Sequence, residues 1–315
     1  MAVESKQKSG ILIVDKVEGI TSHDLVARVR KTLAMKKIGH AGTLDPFATG
    51  VMILLVGEGT KLSNYLMEGE KRYRASIVLG ERRDTGDLTG HMVEQIPFPP
   101  LEENIIVDVL ASFKGNSKQV PPMYSAIKKN GVPLYKYARK GIDLERSERD
   151  IFISEIKLIN FDADQITIDV TCSKGTYIRT LAEDIARALG TCGYLGSLRR
   201  LENGSFSIDQ AISTEDLGNK EKLMSSLIPL HSSLKHMSSV EVKKEAVEKI
   251  LNGRHLMAGW LKSYEKKESH VDKVKILSPE GSLLSIGELF SPLSAVSNLP
   301  EKSVVGKSLR VFNNI

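Results

Sequence analysis

Hydrophobic positions along the chain fall into short runs with two distinct periods. Gly10–Lys16 and the six-residue apolar run Val51 to Val56 read as core strands. Lys71 to Gly80 alternates, which sets Tyr73 on one face with Ala75, Ile77 and Leu79. Ile166, Ile168, Val170 and Cys172 alternate with polar residues as another half-buried strand. Helical spacing appears at Leu25, Val26, Val29 and Leu33, behind Thr21-Ser22-His23-Asp24 with its capping-box spacing. It recurs around Ile106, Val109, Leu110 and Phe113, and again at Ile178, Leu181, Ile185 and Leu189, stopping at Gly190. Thr60 to Leu66 reads as one short helix with Leu62 and Leu66 inward. From about Ser232 the pattern resets to a short helix near Val242 to Leu251 and strands at 274–277 and 283–286, in a stretch that also holds the single tryptophan, Trp260. The pattern therefore predicts an α+β chain of two domains, 1–231 and 232–315, the second small and β-rich. The serine-rich stretch Ser232 to Ser239 is the expected linker, and no internal repeat is visible.

The candidate chemistry concentrates in Gly39-His40-Ala41-Gly42-Thr43-Leu44-Asp45-Pro46-Phe47-Ala48-Thr49-Gly50. Pro46 fixes its own φ and biases Asp45 away from helix, so this carboxylate sits on a rigid turn feeding a buried strand. An Asp-Pro pair taken alone is ordinarily just a turn. Two other motifs fail. Ser22-His23-Asp24 are contiguous and cannot point at one another as a hydrolase relay. Gly57-Glu58-Gly59-Thr60-Lys61 lacks both the third glycine of a dinucleotide fingerprint and the spacing of a P-loop. Tyr177 and Arg179 fall at a strand-to-helix junction, where side chains are held firmly yet can face a cleft.

Composition narrows the class. The chain has 315 residues, 41% hydrophobic and 26% charged, enough for a sizeable core. A polar N-terminus, Met1 to Gly10, and short apolar runs predict neither a signal peptide nor a spanning helix, hence a cytoplasmic protein. Cys172 and Cys192 lie far apart, without the spacing of a disulfide framework or zinc site, and are expected as buried thiols. A net charge of +5 suits a polyanion without demanding one. The segment 121–149 is more telling. Seven basic residues, Lys128 and Lys129 among them, outnumber three acids, with Tyr124, Tyr135 and Tyr137 interleaved. Cations for phosphates and flat rings for unpaired nucleotides are what RNA binding needs, so this reads as a mobile RNA-gripping insertion. Arg28, Arg30, Lys31, Lys36 and Lys37 add a basic stripe leading to His40.

The dodecamer around Asp45 closely resembles the catalytic loop of the bacterial TruB-type tRNA pseudouridine-55 synthases. Further blocks match in order: Asp15-Lys16 with Gly19 and Ser22, Lys71-Arg72-Tyr73, Asp84-Thr85 with Asp87, Met123-Tyr124-Ser125-Ala126 with Lys128, Ser173 to Thr180, and Leu198-Arg199-Arg200. The match spans roughly Gly10 to Leu201 and is weaker over the last eighty residues. Two positions depart from the family: Val17 replaces the usual proline after Asp-Lys, and Tyr194 stands where many relatives have histidine.

The resemblance implies a mixed, mainly antiparallel central sheet flanked by helices, the pseudouridine synthase fold, with a C-terminal PUA-like RNA-binding domain. It implies Asp45 as nucleophile, Arg179 as its counter-charge, and Tyr73 stacked on a flipped uracil with Leu198 closing the apolar side. Tyr177 would lie beside the base, where its hydroxyl could take the C5 proton, although a phenol is a sluggish base. His40 would insert where the base has left, Asp87 would contact RNA or the loop that holds it, and Lys128 of the basic segment would bind the RNA. The expected substrate is the T arm and elbow of tRNA, the product pseudouridine at position 55, with no cofactor, metal or protein partner, by a monomer acting without guide RNA. Two alternatives stand beside it: a tRNA-folding chaperone whose binding matters more than its chemistry, and the guide-RNA-dependent synthase subunit.

Overall fold

The computed structural model describes residues 9–267, 273–296 and 298–313. Most of the polar stretch at the N-terminus, residues 1–8, lies outside the described residues. The chain opens with β1 (Gly10–Lys16), α1 (Ser22–Leu33), β2 (Ile38–His40), β3 (Thr49–Val56), α2 (Ser63–Met67) and β4 (Lys71–Leu79). A ribbon of β5 (Glu81–Arg83) and β6 (Met92–Gln95) leads to α3 (Glu103–Ser112) and β7 (Gly115–Gln119). Segment 121–149 holds a hairpin, β8 (Lys128–Lys129) and β9 (Val132–Pro133), and the short α4 (Leu134–Ala138). Then come β10 (Arg149–Phe161), β11 (Gln165–Cys172), α5 (Ile178–Ala188), β12 (Gly193–Asn203), β13 (Phe206–Ser207), β14 (Ile212–Ser213) and α6 (Lys220–Ser225).

These strands form a ten-stranded sheet in the order β14-β1-β3-β12-β4-β11-β10-β7, with β13 on β12 and β2 on β3. It is mixed and mainly antiparallel, as the resemblance implies. Only β1 with β14 and β12 with β3 pair in parallel. Both faces of β1 and β3 are covered, which explains their unbroken apolar runs. Leu12, Val14, Met52, Leu54 and Val56 belong to the larger core, which also holds the apolar faces of α1 and α5, whereas Ile11, Ile13, Val51, Ile53 and Leu55 belong to a second core. On β4 and β11 only one face is covered. Tyr73, Ala75 and Ile77 pack inward with Ile166, Ile168 and Val170, while Arg72 and Arg74 on the other face pair with Asp169.

A second, six-stranded sheet follows, built from β15 (Ser238–Val242), β16 (Leu256–Met257), β17 (Leu261–Glu265), β18 (Lys273–Leu277), β19 (Leu283–Leu289) and β20 (Val304–Val311). Leu283, Ile286 and Phe312 from this part complete the core under β1 and β3.

Two local expectations change. The helix expected over Thr60 to Leu66 begins earlier, as a 3-10 turn over Gly57–Leu62 that passes into α2. The cause is a wedge. Glu58 is buried and pairs with Lys37 and Lys61, and a Cβ on Gly59 would lie 2.3 Å from the Gly10 carbonyl oxygen, so the chain must enter tightly against β1. The serine-rich stretch is no exposed tether. Ser233 and Leu234 are 0% exposed, and Met237, Ser238 and Ser239 are buried. Ser233 donates to the Leu230 carbonyl at 2.7 Å, and Leu230, Leu234 and Met237 anchor the stretch in the second core. Serine composition misleads here because the apolar anchors set the burial, while Ser233 bonds locally and Ser238 accepts the Lys267 N–H at 2.9 Å. Leu234→Ala is therefore expected to cost about 2–5 kcal/mol in denaturant unfolding, as for a well-packed core leucine. An unchanged midpoint would mark the stretch as a tether after all.

Candidate active site

The loop from Ala41 to Gly50 is short of backbone partners of its own, and buried side chains supply them. Arg200, 1% exposed, donates through Nε to the Val51 carbonyl at 2.7 Å and through its terminal nitrogens to the carbonyls of Gly42 (3.2 Å) and Thr43 (3.5 Å). Asn203 Nδ2 donates to the Ala41 carbonyl at 3.2 Å. Ser22 Oγ accepts the Leu44 N–H and donates to the Leu44 carbonyl. Lys16 is 0% exposed, and its ammonium donates to the carbonyls of Val17 (3.1 Å), Pro46 (2.9 Å) and Ala48 (2.5 Å). Three carbonyl acceptors match the three protons of an ammonium. Burial, opposed by Asp45 and Glu18, brings the Lys16 pKa down to about 8, so the protonated form still prevails at pH 7. At the loop's end Gly50 has φ +101°, and a Cβ there would fall 2.2 Å from the Arg200 carbonyl oxygen, so only glycine fits.

Held this way, Asp45 meets the guanidinium of Arg179. Arg179 lies in the first turn of α5, 5% exposed, with Nε 3.0 Å from Asp45 Oδ2 and 3.6 Å from Asp87 Oδ2. Its Nη1 donates to the Thr85 carbonyl at 3.0 Å and its Nη2 to the Tyr124 carbonyl at 2.6 Å. Three separate segments thus converge on one cation. Asp87 is set by its own turn: Oδ1 accepts from the Thr85 hydroxyl (2.9 Å), the Thr89 N–H (3.0 Å) and the Thr89 hydroxyl (2.6 Å). Burial raises the Asp45 pKa, Arg179 opposes, and Asp87 adds to the rise. About a third of the Asp45 side chain, 36%, stays accessible.

The other sequence-predicted residues distribute around this pair. Tyr73 (7% exposed) and Leu198 (8%) share the larger core on neighbouring strands β4 and β12. Burial raises the Tyr73 hydroxyl pKa despite Arg200 beside it. Tyr177 is the N-cap of α5, half-buried, and burial raises its phenol too, with Ser125 and Arg149 opposing. His40 ends β2; burial, with His23 and Arg200 adding, lowers its pKa, so the ring is neutral at pH 7. Its Nδ1 is buried without a hydrogen-bond partner among the described residues. Lys128 stands apart on the exposed β8–β9 hairpin, and no hydrogen bond or ion pair among the described residues joins it to Asp45. The basic stripe ends in structural work in part, since Lys37 pairs with Glu58 and Arg30 donates to the Ile38 carbonyl at 2.6 Å. Tyr194, the departure from the family, receives the Arg83 guanidinium 4.3 Å from its ring centre, and Arg83 donates to the Leu88 carbonyl at 2.6 Å, bracing the turn that carries Asp87.

Sequence reasoning gave no role to Lys16, Arg200, Asn203 or Gln119. Lys16 and Arg200 left a signal: the alternation that turns Val14 and Leu198 inward turns Lys16 and Arg200 inward as well. A cavity of about 450 Å³ lies elsewhere, between α2, the turn after Asn203 and Lys273. None of the predicted catalytic residues lines it. Among the described residues no three His, Cys, Asp or Glu side chains converge as a metal site requires.

Comparison with known proteins identifies the family. Residues 30–178 match the family model described as the N-terminal domain of TruB family pseudouridylate synthases, and 179–235 match the tRNA pseudouridylate synthase B C-terminal domain. A tRNA pseudouridine synthase B from Hydrogenovibrio crunogenus is 41% identical over 91% of this chain and 92% of its own length. The chain belongs to the TruB family. A Bordetella pertussis relative of the same name is 49% identical over 66% of the chain and 86% of its own length. In fold, this TruB-family chain is similar to a solved H/ACA RNP bound to a substrate RNA containing 2′-deoxyuridine (TM-score 0.77, 22% identity, covering 99% of this chain and 88% of that one). It is similar also to a Cbf5-Nop10-Gar1 complex (TM-score 0.75, 24% identity, 99% and 87%). The two TruB-family matches meet inside α5, immediately before Arg179, so the ion pair joins a residue from each.

Removing Arg200 strips a donor from the buried Val51 carbonyl and the clamp from the Gly42 and Thr43 carbonyls. Arg200→Met is expected to cost about 3 kcal/mol or more in denaturant unfolding. A loss below about 1 kcal/mol would show that the clamp does not hold the loop.

Proposed function

We propose that this chain isomerises uridine to pseudouridine in tRNA, at position 55 of the T loop, as a stand-alone cytoplasmic enzyme with Asp45 as nucleophile. The observation that carries this reading is the Arg179–Asp45 pair: a carboxylate 3.0 Å from a buried guanidinium, on a clamped loop, in a chain of the TruB family. The reaction breaks the C1′–N1 bond, forms C1′–C5, releases the C5 proton and leaves a proton on N1. Electrons balance without an external oxidant or reductant. Covalent catalysis by the carboxylate divides glycosidic cleavage into easier steps.

A base stacked in RNA cannot reach a carboxylate with only a third of its side chain open, so the nucleotide must be flipped out. Tyr73 and Leu198 would then sandwich the uracil, and the neutral His40 ring would fill the gap in the stack. Tyr177, at the N-terminus of α5, would stand nearest the C5 proton. Its raised pKa suits it to receive a proton only from an acidified intermediate. The 121–149 segment, with Lys128 and Lys129 exposed, and the C-terminal sheet, read as a PUA-like domain over 232–315, would grip the T arm and elbow. The family name of the relatives at 41% and 49% identity supports tRNA as substrate.

In an unmodified tRNA transcript the wild-type chain is expected to form pseudouridine at uridine 55, while Asp45→Asn forms none and binds the transcript as well as wild type. Tight binding by both without modification would favour a folding chaperone or a guide-dependent subunit instead. The pH dependence follows from Asp45. Turnover needs the ionised form, so kcat should rise with pH through a limb above the ordinary aspartate value of 3.8. Stability runs the other way. A raised folded-state pKa means that ionised Asp45 destabilises the fold fully above that value and not at all below the unfolded one. Asp45→Asn should therefore melt at or above the wild-type temperature at pH 7, and a lower melting temperature would make Asp45 a structural residue. Neutralising Lys128 and Lys129 together should weaken tRNA binding and reduce the slope of log affinity against log salt by about 1 to 2. An unchanged slope would remove them from the interface.

A further inference from the structure

One buried amide joins the strand that launches segment 121–149 to the helix that carries Arg179. Gln119, the last residue of β7, is 4% exposed. It makes a two-point pair with the Tyr177 backbone. The Tyr177 N–H donates to Gln119 Oε1 at 2.8 Å, and Gln119 Nε2 donates to the Tyr177 carbonyl at 3.1 Å. Tyr177 is the N-cap of α5 and its own side chain makes no capping bond, so the amide from β7 is what fixes this helix end. Two residues on, Arg179 donates to the carbonyl of Tyr124, just after the root of the segment. A ring therefore closes from Gln119 through Tyr177 and Arg179 to Tyr124 and back along the chain. The return path is Val120-Pro121-Pro122-Met123, where two prolines restrict the backbone, so a shift of the segment cannot be absorbed between Gln119 and Tyr124.

We propose that Gln119 is a positioning residue that couples the 121–149 segment to the Arg179–Asp45 pair, so that seating RNA on the segment seats the guanidinium. The proposal rests on the reading of Arg179 and Asp45 as the reacting pair. An amide carries its acceptor and its donor on separate atoms, so Gln119 can accept from the Tyr177 N–H and donate to the Tyr177 carbonyl at once. Glutamate can do the first but repels the carbonyl. Methionine fills the same volume and does neither.

The test is single-turnover pseudouridine formation and transcript binding by full-length wild type, Gln119→Met, Arg179→Lys and the double variant. Gln119→Met is expected to bind tRNA within about twofold of wild type while its rate constant falls about tenfold or more, the scale of a misplaced catalytic group. Its acid limb should move to higher pH, because a loosened Arg179 no longer favours the ionised form of Asp45. In the Arg179→Lys background the same substitution should change the rate less than about twofold, since the interaction it supports is already gone. A wild-type rate and limb in Gln119→Met, additive losses in the double variant, or a fall in binding equal to the fall in rate would each overturn the coupling. Should Gln119→Met lose its thermal transition, Gln119→Glu, which keeps the size and one acceptor, takes its place with the same expected outcomes. Wild-type turnover is the control: its absence counts against the function itself, whereas wild-type turnover matched by Gln119→Met counts against the coupling alone.

Discussion

The buried guanidinium of Arg179 is the contact on which the rest of the site depends. Its nitrogens reach Asp45, Asp87, the Thr85 carbonyl and the Tyr124 carbonyl, so the catalytic loop, the Asp87 turn and the 121–149 segment are assembled around one cation. A lysine could not reproduce this, because an ammonium offers three donors from one point whereas guanidinium offers five in a planar fork. Burying that charge is costly unless carboxylates and carbonyls surround it, and here they do. The same guanidinium opposes the rise that burial imposes on the Asp45 pKa.

Around that pair the protein uses cations where a loop cannot pair with itself. Lys16 and Arg200 between them hold six carbonyls on or beside the loop, from Val17 to Val51. Such a loop is stiff without being regular secondary structure. Stiffness of this kind suits a reacting carboxylate, whose orientation must survive the arrival of a bulky polyanion. The segment 121–149 follows a different logic: its hairpin lies in solvent, with Lys128 and Lys129 exposed, and only its root touches the site.

Much of the fold was legible because local pattern and burial agree. Tyr73 alternates with Ala75 and Ile77 and does face the core, and the unbroken run Val51 to Val56 reflects a strand covered on both faces. Asp45 and Arg179 were legible through motif and position, and the structure brings them to 3.0 Å. What pattern could not show is where backbone carbonyls point. Nothing in Thr85 or Tyr124 as residue types announces that their carbonyls receive Arg179. Lys16 and Gln119 look like surface residues by type, yet are 0% and 4% exposed because each satisfies backbone groups of distant segments. Ser232 to Ser239 misled for a different reason, its burial being set by Leu234 and Met237 rather than by its serines.

The most direct test of this account is amide hydrogen exchange across Arg179→Lys and wild type. If one guanidinium assembles the site, the substitution should speed exchange together in residues 43–48, 84–90 and 123–127, while β3, β4 and β12 keep their protection. Faster exchange confined to the Asp45 loop, with the other two segments unchanged, would contradict it.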